Sequence, residues 1–195
     1  MTQIPILEAE RVRIRPLTRG DLEPCCRLYE EIGWSDATVD VETNDALRAS
    51  WLDWTVDSYR ELDRLDQPPY GERAVESLAG DAFLGLVGLV PSLAAFAQLP
   101  GQGARPDWRT RPEVGLFWAF RPANQGAGLA TEAAARLAAW AFAELQLERL
   151  VATTEHENLR SIAVMRRLGM AIEINAHPES AWPQVVGVLE NPDAG

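Results

Sequence analysis

Phe120-Arg-Pro-Ala-Asn-Gln-Gly-Ala-Gly-Leu-Ala-Thr131 joins two kinds of hydrophobic pattern. Before it, Glu113–Phe120 is an almost unbroken apolar run, which predicts a strand buried on both faces. After it, Leu129–Leu145 is rich in Ala and carries Glu132 and Arg136 as an i,i+4 pair, which predicts a helix. A strand that yields to a helix across a turn with two glycines leaves several N–H groups without helical partners, and the helix dipole adds partial positive charge there. Such a turn suits a phosphate or pyrophosphate, because Gly126 and Gly128 present no Cβ to an approaching ligand. The same spacing also fits a plain strand-to-helix turn. Neither Gly-Lys-Ser/Thr nor Gly-x-Gly-x-x-Gly occurs, so this is neither a Walker loop nor the dinucleotide fingerprint.

Outward from this turn the chain reads as β-α-α-β-β-β-α-β-α-β-β, an α/β architecture on a mixed sheet. Arg11–Leu17 alternates basic and apolar residues and predicts a half-solvated edge strand ended by Pro16. Leu22, Cys25, Cys26, Leu28, Tyr29 and Ile32 form one helical face, and Asn44–Leu65 predicts a second helix that Pro68-Pro69 stops. Arg73–Leu78 and Ala82–Val90 predict a hairpin around Ala79-Gly80-Asp81. Pro91–Pro112 reads as a long connection with a short helical turn over Pro91–Leu99. Arg149–Thr154 predicts a strand, Asn158–Leu168 a helix with Asn158 as N-cap and Gly169 just past its end, and Ala171–Ile174 and Gln184–Leu189 closing strands.

The 195 residues are 47% apolar and 24% charged, an ordinary globular balance for one domain. Net charge is −11, which argues against binding nucleic acid through a diffuse basic surface. All 18 basic residues are Arg. The longest near-apolar runs, Ala82–Leu89 and Ala133–Ala143, are too short to span a bilayer, so no membrane partner is expected. Met1–Glu10 has no secretory pattern, and adjacent Cys25 and Cys26 do not bridge without strain; a reducing, cytoplasmic setting is expected.

Gln125-Gly-Ala-Gly128-Leu-Ala130 resembles the acetyl-CoA motif Gln/Arg-x-x-Gly-x-Gly/Ala of the GNAT N-acetyltransferase superfamily. Ala130-Thr-Glu-Ala133 is similar to the form in the branch that includes ribosomal-protein N-terminal-alanine acetyltransferases. Two further stretches resemble the same family: Glu157-Asn158-Leu-Arg-Ser161 with Met165-Arg-Arg-Leu168-Gly169-Met170, and the opening Arg13-Ile-Arg-Pro-Leu17 with Asp21. The matches lie in family order and predict one N-acetyltransferase domain over residues 8–190.

The resemblance implies the GNAT (acyl-CoA N-acyltransferase) fold: an α/β mixed central sheet splayed in a V around the cofactor, with helices on both faces. It implies acetyl-CoA as co-substrate, with the pyrophosphate on Gly126, Ala127, Gly128, Leu129 and Ala130 behind Gln125. The pantetheine arm is expected to pair with the strand edge at Trp118–Phe120 and to bond Asn158, with Arg166 near the 3′-phosphate. An amine acceptor, either a small molecule or a protein N-terminus, would attack the thioester directly. That chemistry needs a base, an oxyanion donor and an acid for the thiolate.

Glu113, at the start of the central strand, is the candidate base, and Ser161 is either the acid or a purely local first-turn hydroxyl. The family's Tyr acid position holds Met165. Trp34, Trp51, Trp54 and Trp108 are expected, some of them, to line the acceptor site, where a π face can hold a cation, or to serve as ordinary packing; Trp118 and Trp140 are expected in the core. No metal-ligand spacing is present and no metal is expected. The protein is expected as a monomer or homodimer. Competing readings are a non-catalytic acyl-CoA-binding or sensing domain, and an interaction module that kept only the fold.

Overall fold

The structure, a computed structural model, describes residues 4–80, 82–94, 96, 110–175 and 183–193. Its strands are β1 (Leu7–Glu8), β2 (Val12–Pro16), β3 (Gly71–Ser77), β4 (Phe83–Ala94), β5 (Arg111–Phe120), β6 (Arg149–Thr154), β7 (Ala171–Ile174) and β8 (Val185–Glu190). The α-helices are α1 (Leu22–Glu31), α2 (Val41–Arg64), α3 (Leu129–Leu145) and α4 (Leu159–Arg167). The strands form an eight-stranded mixed sheet in the order β1-β2-β3-β4-β5-β6-β8-β7. Two compact units divide the chain: Met1–Gly88 with Phe117–Leu137, and Leu89–Leu116 with Ala138–Gly195.

In the first unit, β2 runs antiparallel to β1, with Leu7 opposite Ile14, and to β3, from Val12 opposite Ser77 to Pro16 opposite Arg73. The alternation in β2 is as its sequence predicts: Val12 and Ile14 are fully buried, while Arg13 and Arg15 face the other way. Its expected place at a sheet edge is not observed, because β1 pairs with its outer side. Period-two alternation reports which face is covered and is silent about lateral neighbours. Helices α1 and α2 bury Cys25, Leu28, Tyr29 and Leu52 together with Leu17, Ala74, Leu86 and Ala119. Helix α2 starts at Val41, three residues earlier than its apolar periodicity suggests, because Asp40 caps it by accepting from the Thr43 N–H at 2.8 Å.

In the second unit, β6 pairs antiparallel with β8 from Arg149 opposite Glu190 to Thr154 opposite Val185, and β7 pairs antiparallel with β8. Strand β5 runs parallel to β6 with Gly115 opposite Val151. Ala94, Phe96, Val151, Val186 and Val188 make one core cluster. Helix α4 ends as its sequence predicts: Gly169 takes φ +80°, and the Met170 N–H reaches back to the Met165 carbonyl at 3.0 Å.

Two expectations about strands are corrected. Strand β4 passes through Pro91 to Ala94, where a helical turn was expected from Pro91. Pro91 is exposed, a position at which a strand tolerates a missing donor. Strand β5 is not buried on both faces: only Leu116, Ala119 and Phe120 are buried, and Val114, Phe117 and Trp118 are partly open. A continuous apolar run cannot itself say what covers it. Trp118 is therefore half-exposed, whereas Trp140 is in the core as expected.

The start of α1 rests on a buried ion pair. The Arg15 guanidinium donates Nη1 and Nη2 to the two Asp21 oxygens at 2.8 and 2.7 Å, and the Thr18 N–H donates to the same carboxylate at 2.7 Å. Arg15 also donates to Glu76 at 2.7 Å. Burial pushes the Asp21 carboxyl upward, but the Arg15 guanidinium and the Thr18 amide outweigh it and hold Asp21 below the usual aspartate range. A depressed folded-state pKa contributes stability above the unfolded pKa and loses it as pH falls. Asp21→Asn is expected to lower unfolding free energy by about 2 kcal/mol at pH 7. The gap between variant and parent should narrow as pH falls below ~4, because the carboxylate of the unfolded chain then takes up a proton before the folded one does. Denaturant titrations across pH check both expectations.

Candidate active site

The turn between β5 and α3 is built from within the first unit. The Gln125 side-chain amide donates to the Phe120 carbonyl at 2.7 Å, and the Asn124 amide donates to the Leu84 carbonyl at 3.3 Å. These bonds fold a single 3-10 turn, Pro122–Asn124, back on the strand end. Gly126 and Gly128 both take φ +83°, left-handed backbone that a side chain strains, so the two glycines are required by conformation as well as by access. The first helical bond here is from the Glu132 N–H to the Gly128 carbonyl at 3.0 Å. Among the described residues, none accepts from the six amides Gly126 to Thr131. The Thr131 hydroxyl beside them is buried and has no hydrogen-bond partner among the described residues. A Cβ built on Gly126 meets nothing within 4 Å, so the concave side is open. Six free donors at a helix start form a cradle for an anion with several oxygens.

Sequence reasoning missed how the turn is braced. Arg11 donates from Nη1 to the Ala127 carbonyl at 3.0 Å and from Nε to Glu132 at 2.7 Å, while its backbone N–H donates to the other Glu132 oxygen at 2.6 Å. Glu132 therefore pairs with Arg11 and not with Arg136, whose guanidinium reaches the Glu8 carbonyl at 3.0 Å. The helical spacing of Glu132 and Arg136 could not reveal a competitor 121 residues away. The pairing matters for anion binding, because Arg11 offsets a carboxylate that would otherwise face the cradle.

Four expected residues, Glu113, Asn158, Ser161 and Arg166, lie in the second unit. Asn158 caps α4 by accepting from the Ser161 N–H at 3.1 Å, so its capping role is observed. Ser161 is half-buried in the first turn, and Arg166 is exposed in the last. Met165 is fully buried, and a Cβ on Gly187 would lie 3.2 Å from its Cγ; it packs on β8 as a core residue. Glu113 is a clamped carboxylate. Arg149 donates to it from Nε at 3.0 Å and from Nη2, and Arg111 lies 3.0 Å from the same group. Burial raises its carboxyl above the usual glutamate range, with Arg111 pulling the other way.

An aromatic wall stands in the first unit. Tyr29 packs at 5.8 Å from Trp34 and 5.7 Å from Trp51, and Trp34 packs at 6.1 Å from Phe117. Trp34 is 54% exposed and thus forms a rim rather than core. The Arg48 guanidinium lies over the Tyr29 ring, 3.2 Å from its centroid. Trp54 is exposed on α2 and makes no ring contact among the described residues, so it stands apart from this wall. Trp108 lies outside the described residues. Glu72 is half-buried beside the wall; burial raises its carboxyl, and Arg48 opposes that shift. Among the described residues no group of three potential ligands could hold a metal ion, and no helix is long and apolar enough to cross a membrane.

A family model described as an acetyltransferase (GNAT) domain matches residues 11–171. A protein of Bacillus subtilis (strain 168), described as the uncharacterized N-acetyltransferase YnaD, is 41% identical over 61 residues. That match spans 31% of this chain and about a third, 35%, of the relative. An acetyltransferase from Agrobacterium tumefaciens str. C58 superposes with a TM-score of 0.64 at 23% identity, covering 97% of this chain and 96% of its own. A ribosomal-protein alanine acetyltransferase from Vibrio fischeri superposes with a TM-score of 0.66 at 14% identity, covering 98% and 99% of the two chains.

The strand end that presents the turn is tightly seated. A Cβ on Gly85 would lie 2.2 Å from the Ala119 carbonyl oxygen and 2.8 Å from the Phe120 Cα, both backbone atoms. Gly85→Ala is therefore expected to cost about 3 kcal/mol, at the upper end of overpacking penalties, because no side chain can swing aside. Thermal unfolding compared with Gly80→Ala, where a Cβ meets nothing within 4 Å, measures the difference.

Proposed function

The chain belongs to the acetyltransferase (GNAT) domain family, and on that premise we propose that it transfers an acetyl group from acetyl-CoA to an amine by direct attack. The observation that carries this reading is the run of free amides from Gly126 to Thr131, braced by Arg11 and opened by two left-handed glycines. The pyrophosphate is held there by Gly126–Ala130 behind Gln125. The pantetheine arm lies along Trp118–Phe120, a stretch in which Trp118 is partly open. Asn158, Ser161 and Arg166 belong to the other unit. The roles we propose for them are a bond to the arm, a proton for the thiolate and a contact to the 3′-phosphate; these rest on the motif match alone.

The amine nitrogen attacks the thioester carbonyl carbon, the C–S bond breaks, and the thiolate takes up a proton. An alkyl amine arrives mainly as ammonium, with a pKa near ~10, so a base must first remove its proton. Glu113 and Glu72 compete for that task. Two guanidiniums already hold Glu113. Glu72 accepts no side-chain hydrogen bond among the described residues, and its carboxyl is raised by burial, which makes it a stronger base. We assign the proton to Glu72. One observation favours the non-catalytic reading: the family's Tyr acid position holds a core residue, Met165. CoA binding without CoA release for any amine would establish that reading.

Gly128→Glu is expected to weaken CoA binding at least ~100-fold, because a carboxylate enters an anion cradle and a side chain enters left-handed backbone. Calorimetric titration on a variant with native circular dichroism tests it; unchanged affinity would remove the cradle from the site.

Glu72→Gln is expected to lower kcat/KM about 10²-fold near neutral pH, with the deficit shrinking as rising pH supplies free amine. In the parent enzyme kcat/KM should fall on the acid side through a pKa above the ordinary glutamate value of ~4.3, since protonation removes the base. Glu113→Gln tests the competing assignment: a loss as large, with Glu72→Gln near parent activity, would move the base to Glu113.

A further inference from the structure

The Arg48 guanidinium has an unusual setting. It lies 3.2 Å from the Tyr29 ring centroid and 4.9 Å from that of Trp51, and it is half-buried on this platform. Among the described residues no carboxylate lies within ion-pair distance of it. Other arginines of the same unit do find one: Arg15 pairs with Asp21, Arg19 with Asp53, and Arg121 with Glu31. The chain has 29 acidic residues to 18 arginines, so carboxylates are not scarce. Two aromatic rings hold the guanidinium on their wall, the Tyr29 hydroxyl engages part of its hydrogen-bonding capacity, and the remaining N–H groups suit a planar anion.

The surroundings narrow the ligand. Trp34 forms an exposed rim against Tyr29, and Trp34 also touches Phe117, which immediately precedes the Trp118–Phe120 stretch proposed for the pantetheine arm. Glu72 lies within the field of both Arg48 and Tyr29. The wall thus offers a fixed cation for an anion, and Glu72, whose charge Arg48 influences, is the carboxylate assigned to the ammonium. A chain of net charge −11 repels anions at long range, so an anionic acceptor needs a placed cation to dock.

We propose that the acceptor is a small primary amine that also bears a carboxylate, of the amino-acid type, with its carboxylate taken by Arg48 on the Tyr29–Trp51 platform. This rests on the acetyl-transfer reading above. Arg48 binds the carboxylate edge to edge, the acceptor's side chain lies against the indoles, and the ammonium is directed toward Glu72. Polyamines and protein N-termini lack the adjacent carboxylate and leave Arg48 unused.

The test uses the full chain and matched acceptors. CoA release is measured for each of a set of free amino acids and for the corresponding amino-acid amides, with spermidine and a tripeptide as further acceptors. At least one acid is expected to exceed its amide tenfold in kcat/KM, against the higher free-base fraction of the amide. Arg48→Gln should bring that ratio close to one. Arg48→Lys, which keeps the charge and loses the planar fork, should fall between. Amides, spermidine or the tripeptide turning over as well as the best acid would overturn the proposal, as would an Arg48→Gln ratio equal to that of the parent.

A second measurement needs no turnover. Indole fluorescence from Trp34 and Trp51 is titrated with N-acetyl amino acids and their amides. A saturable change for the acids, at least tenfold weaker in Arg48→Gln, supports the site even if no amine releases CoA, in which case acetyl transfer is the reading that fails. CoA release without any acid preference in turnover or binding overturns the carboxylate site and leaves acetyl transfer standing.

Discussion

Six consecutive backbone amides that find no acceptor in the described protein are the constraint around which the first unit is arranged. Unsatisfied donors are costly unless water or a ligand meets them, so the turn has to face outward and its backbone has to be held from behind. Gln125 ties it to the Phe120 carbonyl, Asn124 to Leu84, and Arg11 to the Ala127 carbonyl and Glu132. Gly85 lets β4 lie against Ala119 and Phe120 at a distance no side chain would permit. Two positive-φ glycines complete the reversal from strand to helix. Local conformation, strand packing and anion chemistry therefore depend on the same dozen residues.

Charge is organised on two levels. Over the whole chain the excess of carboxylates gives a net −11, which sets a field unfavourable to anions. Locally, arginines are placed where that field must be reversed or a buried carboxylate held. Arg11 stands at the cradle, Arg15 at the start of α1, Arg149 and Arg111 around Glu113, and Arg48 on the aromatic wall. The absence of Lys makes every one of these cations a planar fork, suited to bidentate pairing and to stacking. The Asp21 and Glu113 clamps are structural uses of that geometry, and Arg48 is the case in which the fork lies over aromatic rings and meets no carboxylate among the described residues.

The legible part of the site was the part written in local backbone. Gly126 and Gly128 signal left-handed turns, Gln125 and Ala130 complete a recognisable spacing, and Asn158 marks a cap that the structure shows. Less legible were residues whose role depends on a distant partner. Arg11 read as one more basic position in an alternating strand, and Glu132 as a helical partner of Arg136, because the bond joining Arg11 to Glu132 spans 121 residues. Arg48 carried no signal at all: its meaning comes from two rings, Tyr29 on α1 and Trp51 on α2, brought together by helix packing. Trp34 and Trp54 looked equivalent in sequence, and only packing against Tyr29 separates them.

The sequence by itself determined the α/β order of elements, the two-glycine turn, the burial of Val12 and Ile14, and the caps at Asn158 and Gly169. Each is governed by backbone dihedral preference or by side-chain period, quantities set within a few residues. Tertiary structure alone decided that β2 is an interior strand, that β4 continues through Pro91, that β5 is partly open, and which carboxylates are clamped. Those outcomes depend on which surfaces and charges meet across long sequence separations. The energy of burial and of ion pairing is a property of the pair, and neither partner's local sequence contains it.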